Sequence, residues 1–127
     1  TVDGGALEFA SDRLKNDKDI ILKSVSQAGW TCCYASDKLK NDKDVLLAAS
    51  KVDGQALYFA SQGLRDDKDV VLAAVTQKPI ILKYASYRLR DDKDIALAAV
   101  GKAKKKVIEY ITPRLQEDPD IKALLEE

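Results

Sequence analysis

The sequence has 127 residues, in which 21 Lys and Arg balance 21 Asp and Glu, so the formal net charge at pH 7 is zero. A neutral chain has no overall field that would attract nucleic acid or an anionic membrane. No apolar run approaches the ~18 residues needed to cross a bilayer. The two cysteines, Cys32 and Cys33, are adjacent, which is neither a disulfide framework nor a metal-ligand spacing.

A short phrase recurs along the chain. It reads LRDDKDVVLAAV at 64–75 and LRDDKDIALAAV at 89–100, with close copies at 14–25 and 39–50 and a degraded copy at 115–126. Four copies contain a D-K-D tract, which reads D-P-D in the fifth copy. The first aspartates of these tracts are 25 residues apart, with a final step of 26, at Asp17, Asp42, Asp67, Asp92 and Asp118. Self-similarity at a short fixed period is typical of a repeat array.

Each unit contains the pattern of two short helices. In the third unit, the apolar residues of segment 55–64 recur with a 3.6-residue period, which predicts a first helix. The segment 65–67 predicts a turn, and Asp67 is well placed as the N-cap of a second helix over 68–77. The middle of that helix is apolar all round, which predicts that neighbours cover it on several sides. Gly29 and Gly54 fit a left-handed position after the second helix.

Helices of about ten residues are shorter than the ~12–15 residues at which isolated helices persist in water, so the units must stack. We predict an all-α, solenoid-like array of five helix-turn-helix repeats of ~25 residues. The units span about residues 4–28, 29–53, 54–78, 79–103 and 104–127. The end units are atypical and are expected to cap the array, because Lys23 and Ser24 replace an alanine pair and the last unit contains Pro113 and Pro119.

The start of the chain matches the middle of the array. Residues 1–11 read TVDGGALEFAS and residues 51–61 read KVDGQALYFAS, so Thr1 occupies the position of Lys51, just after the second helix of a preceding unit. The sequence contains no methionine. We therefore expect one repeat domain over 1–127 that has either a processed N-terminus or a place in a longer repeat protein.

The repeated unit is also similar to a known family. The similarity rests on a set of positions in the third unit that recur in the other units: Leu57, Phe59, Ala60, Ser61, Leu64, Asp67, Lys68, Val70, Leu72, Ala73 and Val75. The unit resembles the short helical repeats catalogued as domain of unknown function 4116, and the fifth unit departs from the pattern at Thr112, Pro113 and Pro119. That family is common in unicellular algae, other protists and some intracellular bacteria. The resemblance implies a helical fold, but the family has no established activity and thus no catalytic residues to transfer.

The acidic tracts could be read as a metal site. Asp17 and Asp19 have the D-x-D spacing of a calcium loop, but Leu22 stands where such a loop needs glycine. We interpret these carboxylates as N-caps in a solvated ladder of charges. The recurrent serine, Ser61 in the third unit, is interpreted as a small residue bonding back to its own helix. The chain has no histidine and no recognisable nucleophile arrangement, so we predict no enzyme activity and no catalytic, cofactor-binding or metal-binding residues.

The segment GKAKKK at 101–106 is the one local excess of positive charge. Acidic residues are interleaved at 91–94 and at Glu109, and no ladder of aromatic residues accompanies the lysines. A solvated segment between repeats is the favoured interpretation. A basic face for nucleic acid or phosphate is the alternative, with the candidate residues Lys102, Lys104, Lys105 and Lys106.

The outward positions of the first helices change along the array. Those of the end units carry residues such as Gly5, Glu8, Lys106 and Glu109, whereas the middle units carry Trp30, Tyr58, Ile80 and Tyr87. One interpretation places Trp30 and Ile80 in the groove between helix pairs. The other makes all four residues exposed anchors for a protein partner, since Trp and Tyr are favoured at interfaces.

These patterns give three hypotheses for the function. The first is a non-catalytic module for protein–protein interaction, a scaffold that binds its partner through Trp30, Tyr58, Ile80 and Tyr87. The second is a structural or linker subunit of a large assembly, such as an algal organellar or photosynthetic one, and it rests on the family's distribution alone. The third is binding of nucleic acid or phosphate through the lysines of 102–106.

Overall fold

The structure is a computed structural model that describes residues 12–126, and in this range it contains helices and no strand. The α-helices, in chain order, are α1 Asp12–Lys15, α2 Lys18–Gln27, α3 Asp37–Lys40, α4 Lys43–Val52, α5 Gln62–Arg65, α6 Lys68–Gln77, α7 Tyr87–Arg90, α8 Lys93–Ala103, α9 Pro113–Gln116 and α10 Pro119–Leu125. The 3-10 helices are Gly29–Tyr34, Gly54–Phe59, Pro79–Tyr84 and Lys104–Tyr110. The predicted all-α class is confirmed for the described part of the chain.

Each fully described unit has three helical pieces where the sequence predicts two. The predicted helix over 55–64 is a 3-10 helix that ends at Phe59, followed by extended backbone at Ala60 and Ser61 and by the four-residue α5. The break occurs because the Ser61 hydroxyl accepts a hydrogen bond from the Leu64 backbone N–H, which makes this serine the N-cap of α5. The prediction that Ser61 bonds back to its own helix was therefore wrong.

The aspartate that opens each D-K-D tract caps the long helix after it, as predicted. Asp67 Oδ1 accepts hydrogen bonds from the backbone N–H groups of Asp69, at 3.0 Å, and Val70, at 3.2 Å. The equivalent aspartates of the other units accept from the first turns of α2, α4, α8 and α10. These bonds satisfy backbone donors that a helix N-terminus otherwise leaves unpaired.

The long helices pack side by side in chain order, α2 against α4, α4 against α6, α6 against α8 and α8 against α10. The 3-10 helices form a second row that packs against them. The core lies between the rows and takes one face of each long helix, which in α6 comprises Val70, Val71, Ala74 and Val75. Leu72 and Ala73 on the same helix are half-buried, so neighbours cover the middle of this helix on several sides, as predicted, but less completely on this face.

Gly29 and Gly54 follow the long helices α2 and α4, and close approach of backbone explains why these two residues are glycine. No described glycine has a positive φ, so the predicted left-handed position was wrong. A Cβ added at Gly29 would lie 2.5 Å from the Ala49 carbonyl oxygen and 2.9 Å from the Asp53 Cβ. At Gly54 it would meet the carbonyl oxygen of Ala74 in the same way. Each glycine thus allows the start of a 3-10 helix to come close to the long helix of its own unit.

We predict opposite effects for two Gly-to-Ala substitutions. Gly54→Ala places a Cβ against the backbone of α6, and we expect it to lower the free energy of unfolding by about 1–3 kcal/mol. Gly101 lies on an exposed part of α8 with nothing within 4 Å of an added Cβ, so Gly101→Ala should raise it by about 0.5–1 kcal/mol. Urea unfolding of both variants measures the two changes, and equal effects would contradict the close-approach argument.

A second stability prediction concerns Ser50. Its hydroxyl is fully buried with no hydrogen-bond partner among the described residues, and the same position carries valine in Val25, Val75 and Val100. Ser50→Val should therefore raise the free energy of unfolding by about 1 kcal/mol. The control is Ser24→Ala, which should lower it, because the buried Ser24 hydroxyl donates to the Thr31 hydroxyl at 3.0 Å. A destabilised Ser50→Val variant would refute the prediction.

Candidate protein-binding surface

The four candidate partner-binding residues are all exposed. The exposed fractions are 43% for Trp30, 45% for Tyr58, 41% for Ile80 and 70% for Tyr87. We call these four residues the aromatic face. Trp30 and Ile80 stand in the 3-10 helices of the second and fourth units, and neither is enclosed in a groove between units.

Half-buried aromatic rings support the exposed ones. The Tyr58 ring meets Phe59 at a centroid distance of 5.2 Å and Tyr84, of the next unit, at 5.0 Å, both edge to face. Trp30 meets Tyr34 edge to face at 6.0 Å. Within residues 12–126 no ring contact joins Trp30, Tyr58 and Tyr87 to one another. The aromatic face therefore consists of exposed side chains that do not contact one another through their rings.

Two basic side chains, Arg65 and Lys83, contact the backbone and the Tyr84 ring that lie beneath the exposed residues. The Arg65 guanidinium donates to the carbonyl oxygens of Tyr58, at 2.6 Å, and Ala60, at 3.2 Å. Its Cζ lies 5.9 Å from the centroid of the Tyr84 ring, and the Lys83 ammonium lies 5.1 Å from the same centroid. A ring that is packed edge to face and has cations nearby keeps few alternative rotamers.

Tyr87 occupies a cleft between the fourth and fifth units. It is the first residue of α7 and lines the cleft together with Arg90, Tyr110 and Gln116. Arg90 Nε donates to the Tyr110 carbonyl oxygen at 2.6 Å, so this wall is fixed by a bond across the unit boundary. Tyr84 lines the equivalent cleft one unit earlier, which places Tyr87 on the same side of the array as Tyr58.

Sequence reasoning missed the aromatic residues beneath the exposed ones. It assigned Phe59 to the core face of a helix and gave no role to Tyr34 or Tyr84. All three are half-buried and make the ring contacts that support the aromatic face. The signal was in the repeat itself, because one position carries an aromatic residue in every unit, at Phe9, Tyr34, Phe59, Tyr84 and Tyr110.

The last unit presents a polar surface where the middle units are aromatic. Lys106, Glu109 and Pro113 are exposed there. Gly5 and Glu8, which carry the same contrast in the first unit, lie outside the described residues. The contrast between middle and end units therefore rests on the described C-terminal end.

The four lysines of the basic segment differ in what they bind. Lys102 Nζ donates to the Thr76 carbonyl oxygen at 2.6 Å, and Lys104 Nζ donates to the Leu124 carbonyl oxygen at 3.0 Å. Lys105 and Lys106 are exposed. Half of the candidate basic patch is therefore bound to backbone oxygens at the ends of neighbouring helices.

The lysine of each D-K-D tract binds the next unit. Lys43 Nζ lies 3.3 Å from Asp67 Oδ2 and 2.9 Å from Asp69 Oδ2, and thus between the two carboxylates of the following tract. The same pair of bonds recurs in each of the other unit boundaries, at Lys18, Lys68 and Lys93. We call these four lysines and their carboxylates the lysine ladder. The D-x-D spacing, which resembles that of a calcium loop, thus allows two carboxylates to bind one lysine of the preceding unit.

The Cys32 thiol is buried and keeps its proton. Burial is the main cause that raises the pKa of the Cys32 thiol to about 12, with the neighbouring Cys33 adding to it. The Cys32 thiol is fully enclosed and its sulfur lies 3.9 Å from the Ala56 carbonyl oxygen. A thiol of this kind stays protonated at neutral pH, and only the thiolate is a strong nucleophile.

The long helices also leave a groove, which sequence reasoning missed. Leu47 on α4 and Leu72 and Ala73 on α6 line it, and its volume is about 400 Å³. Lys51, Asp69, Thr76 and Gln77 complete its walls. Leu47 and Leu72 are half-buried in this groove.

The fold defines an all-α array of short repeats, with aromatic side chains exposed on its middle units. A sequence model of the family described as domain of unknown function (DUF4116) matches residues 2–40, 29–65 and 67–116. The matched segments cover most of the sequence, so the chain belongs to that family. No curated protein and no solved structure matches it.

The helices of the described range are all short. Among residues 12–126 none combines the length and the hydrophobicity that a crossing of the bilayer would require.

The lysine ladder predicts a loss of stability in acid. Hydrogen bonds from Lys43 and Lys68 are the main causes that lower the pKa of Asp69 and Asp94 from the ordinary 3.8. A carboxylate with a lowered folded-state pKa stabilises the fold above its ordinary pKa, and this contribution is lost as the pH falls through the folded value. We therefore expect the melting temperature to fall progressively below about pH 4.

Two variants test whether the lysine ladder causes the fall of the melting temperature in acid. Lys43→Gln with Lys68→Gln should lower the melting temperature at pH 7 and flatten its fall in acid. Lys38→Gln, at an exposed lysine outside the ladder, should leave the pH profile unchanged. An acid profile as steep in the double variant as in the parent protein would show that the ladder does not cause it.

Proposed function

We propose that this protein is a non-catalytic repeat module that binds a protein partner through the aromatic face. The observation that carries the proposal is the exposure of Trp30, Tyr58, Ile80 and Tyr87 on three consecutive units. Large apolar side chains exposed in a row are typical of interaction sites. Trp and Tyr in particular bury a large area with few rotatable bonds and recur among the residues that dominate binding energy.

The supports beneath the face favour rigid docking. Tyr58 is held against Tyr84 and Phe59, and Arg65 fixes the backbone that carries Tyr58. Anchors that are already ordered lose little side-chain entropy on binding, so more of the contact energy contributes to affinity. Polar groups surround the anchors, including the exposed Lys83 and Gln62, which matches the apolar centre and polar rim of protein interfaces.

The arrangement favours a protein partner over nucleic acid. Two lysines of the basic segment are bound to carbonyl oxygens, and the charges along the unit boundaries are paired within the array. Affinity for nucleic acid depends largely on neutralising phosphates with available cations, and the chain has no net positive charge to contribute.

The test replaces two residues of the aromatic face with glutamine, the residue that the third unit has at the equivalent positions. Trp30→Gln combined with Tyr87→Gln copies Gln55 and Gln62, which occupy the equivalent positions. We expect a melting temperature close to that of the parent protein and a Kd weaker by about 30-fold or more, which corresponds to about 2 kcal/mol. The partner is first identified by mass spectrometry of proteins that co-purify with the tagged chain, and the Kd is then measured with purified components.

Lys105→Gln with Lys106→Gln is the matched control and should bind the partner at full strength. If the anchor variant unfolds, the two side chains are part of the core and the proposal fails. If it folds and binds normally, the interface lies elsewhere. Binding that is lost in the lysine variant and falls steeply with salt would instead support the basic-face alternative. A stoichiometric complex that survives gel filtration would support a structural subunit.

A further inference from the structure

The two ends of the array differ in what they leave uncovered. Leu14 in the first unit is 40% exposed, whereas its equivalent in the second unit, Leu39, is 3% exposed. The same leucine is buried in the third, fourth and fifth units. Ile20 is likewise half-buried, while the equivalent residues Val45, Val70, Ile95 and Ile121 are fully buried. The first unit therefore exposes apolar residues that the array covers in every later unit.

Within residues 12–126, two carboxylates of the first unit likewise do not have the lysine that their equivalents bind in later units. Asp17 and Asp19 correspond to the carboxylate pairs that receive a lysine at the other unit boundaries. Neither has an ion pair within the described part of the chain, and Asp17 is exposed where its equivalents are half-buried. The helix that follows, α2, has the same length and the same aspartate N-cap as α4 and α6. We call Leu14, Asp17, Asp19 and Ile20 the upstream face.

The downstream end of the array is built differently. Lys122 is exposed at a position where the other units have a buried apolar residue, such as Val71, and it pairs with Glu117 of its own unit at 2.7 Å. Pro119 replaces the ladder lysine, so the last unit has none to donate to a following unit. Glu126 is exposed where Val25, Val75 and Val100 are buried.

We propose that the upstream face is a docking surface for a further helical repeat whose long helix begins Asp-Lys-Asp. The lysine of that repeat would bind Asp17 and Asp19, as Lys18 binds Asp42 and Asp44, and its core face would cover Leu14 and Ile20. The interface is a continuation of the one that joins every pair of units in the array. The occupant is not the last unit of a second copy, because that unit lacks the lysine and carries Lys122 and Glu126 on its downstream side.

The test adds the same repeat to either end of the full chain. A copy of residues 51–75 placed directly before Thr1 keeps the 25-residue spacing and puts a D-K-D unit upstream of Asp17. We expect a single unfolding transition with a midpoint higher by about 3 °C or more. Amide exchange in α2 should slow by about tenfold or more, since its open face is then covered. The same unit placed after Glu127 in matching register is the control and should give neither effect.

Substitutions at the carboxylates show whether the lysine is part of the interface. Asp17→Asn with Asp19→Asn retains a good N-cap side chain at position 17 but removes both charges. In the chain extended at the N-terminus, this pair should remove most of the gain in midpoint, and in the parent chain it should have a much smaller effect. Glutamine in place of the ladder lysine of the added unit should act in the same way.

Three results would overturn the proposal. The added N-terminal unit could exchange its amides like an unfolded segment while the rest of the chain stays protected. The extension after Glu127 could stabilise the array as much as the one before Thr1. The gain could also be the same with and without Asp17 and Asp19, which would show a docking mode unrelated to the ladder. Because the aromatic face is not altered in these chains, the outcome is independent of partner binding.

Discussion

The lysine of each Asp-Lys-Asp tract reaches across to two carboxylates of the following unit, and the register of the array depends on this contact. A shift by one residue would take Lys43 out of reach of Asp67 and Asp69 and would move the apolar faces out of alignment. The same boundary is closed by a backbone bond from the Ser61 N–H to the Lys40 carbonyl oxygen, at 3.2 Å. Exposed ion pairs contribute little stability one by one. Here their value lies in repetition, because the same lysine contact recurs at four boundaries and selects the same alignment at each.

A fixed register turns each position of the unit into a row along the array. The row that carries a half-buried aromatic residue lies beside the exposed positions, and Tyr84 of this row meets Tyr58 of the unit before it. The rows beside it are free to vary without loss of the fold, as Gln55 and Ile80 show at one equivalent position. The repeat does not require an aromatic residue at such positions, which is why the exposed ones carry the functional proposal.

The repeat period and the caps could be predicted from the sequence because both depend on local chemistry. An aspartate before a helix accepts from the first turn wherever it occurs, and Asp67 does so. The break within the first helical segment could not be predicted in this way, since Leu57 and Leu64 face the core whether or not Ser61 interrupts the helix. The role of Gly54 could not be predicted either, because glycine is needed there to avoid the Ala74 carbonyl oxygen, which belongs to another helix.

The unit boundaries are not interchangeable, although the units are nearly identical. The turn residue that accepts a hydroxyl from the next unit is Asn41 at one boundary and Asp66 at the next. Asp66 also binds Arg88 of the following unit, with Nε to Oδ1 at 2.9 Å, whereas Asn41 faces a unit that has Gly63 at the position of the arginine. An aspartate placed before the Gly63 unit would lack its arginine partner, and an asparagine before Arg88 would lack the charge. Charge pairing at the turn thus distinguishes these two boundaries, a device by which similar surfaces discriminate between neighbours.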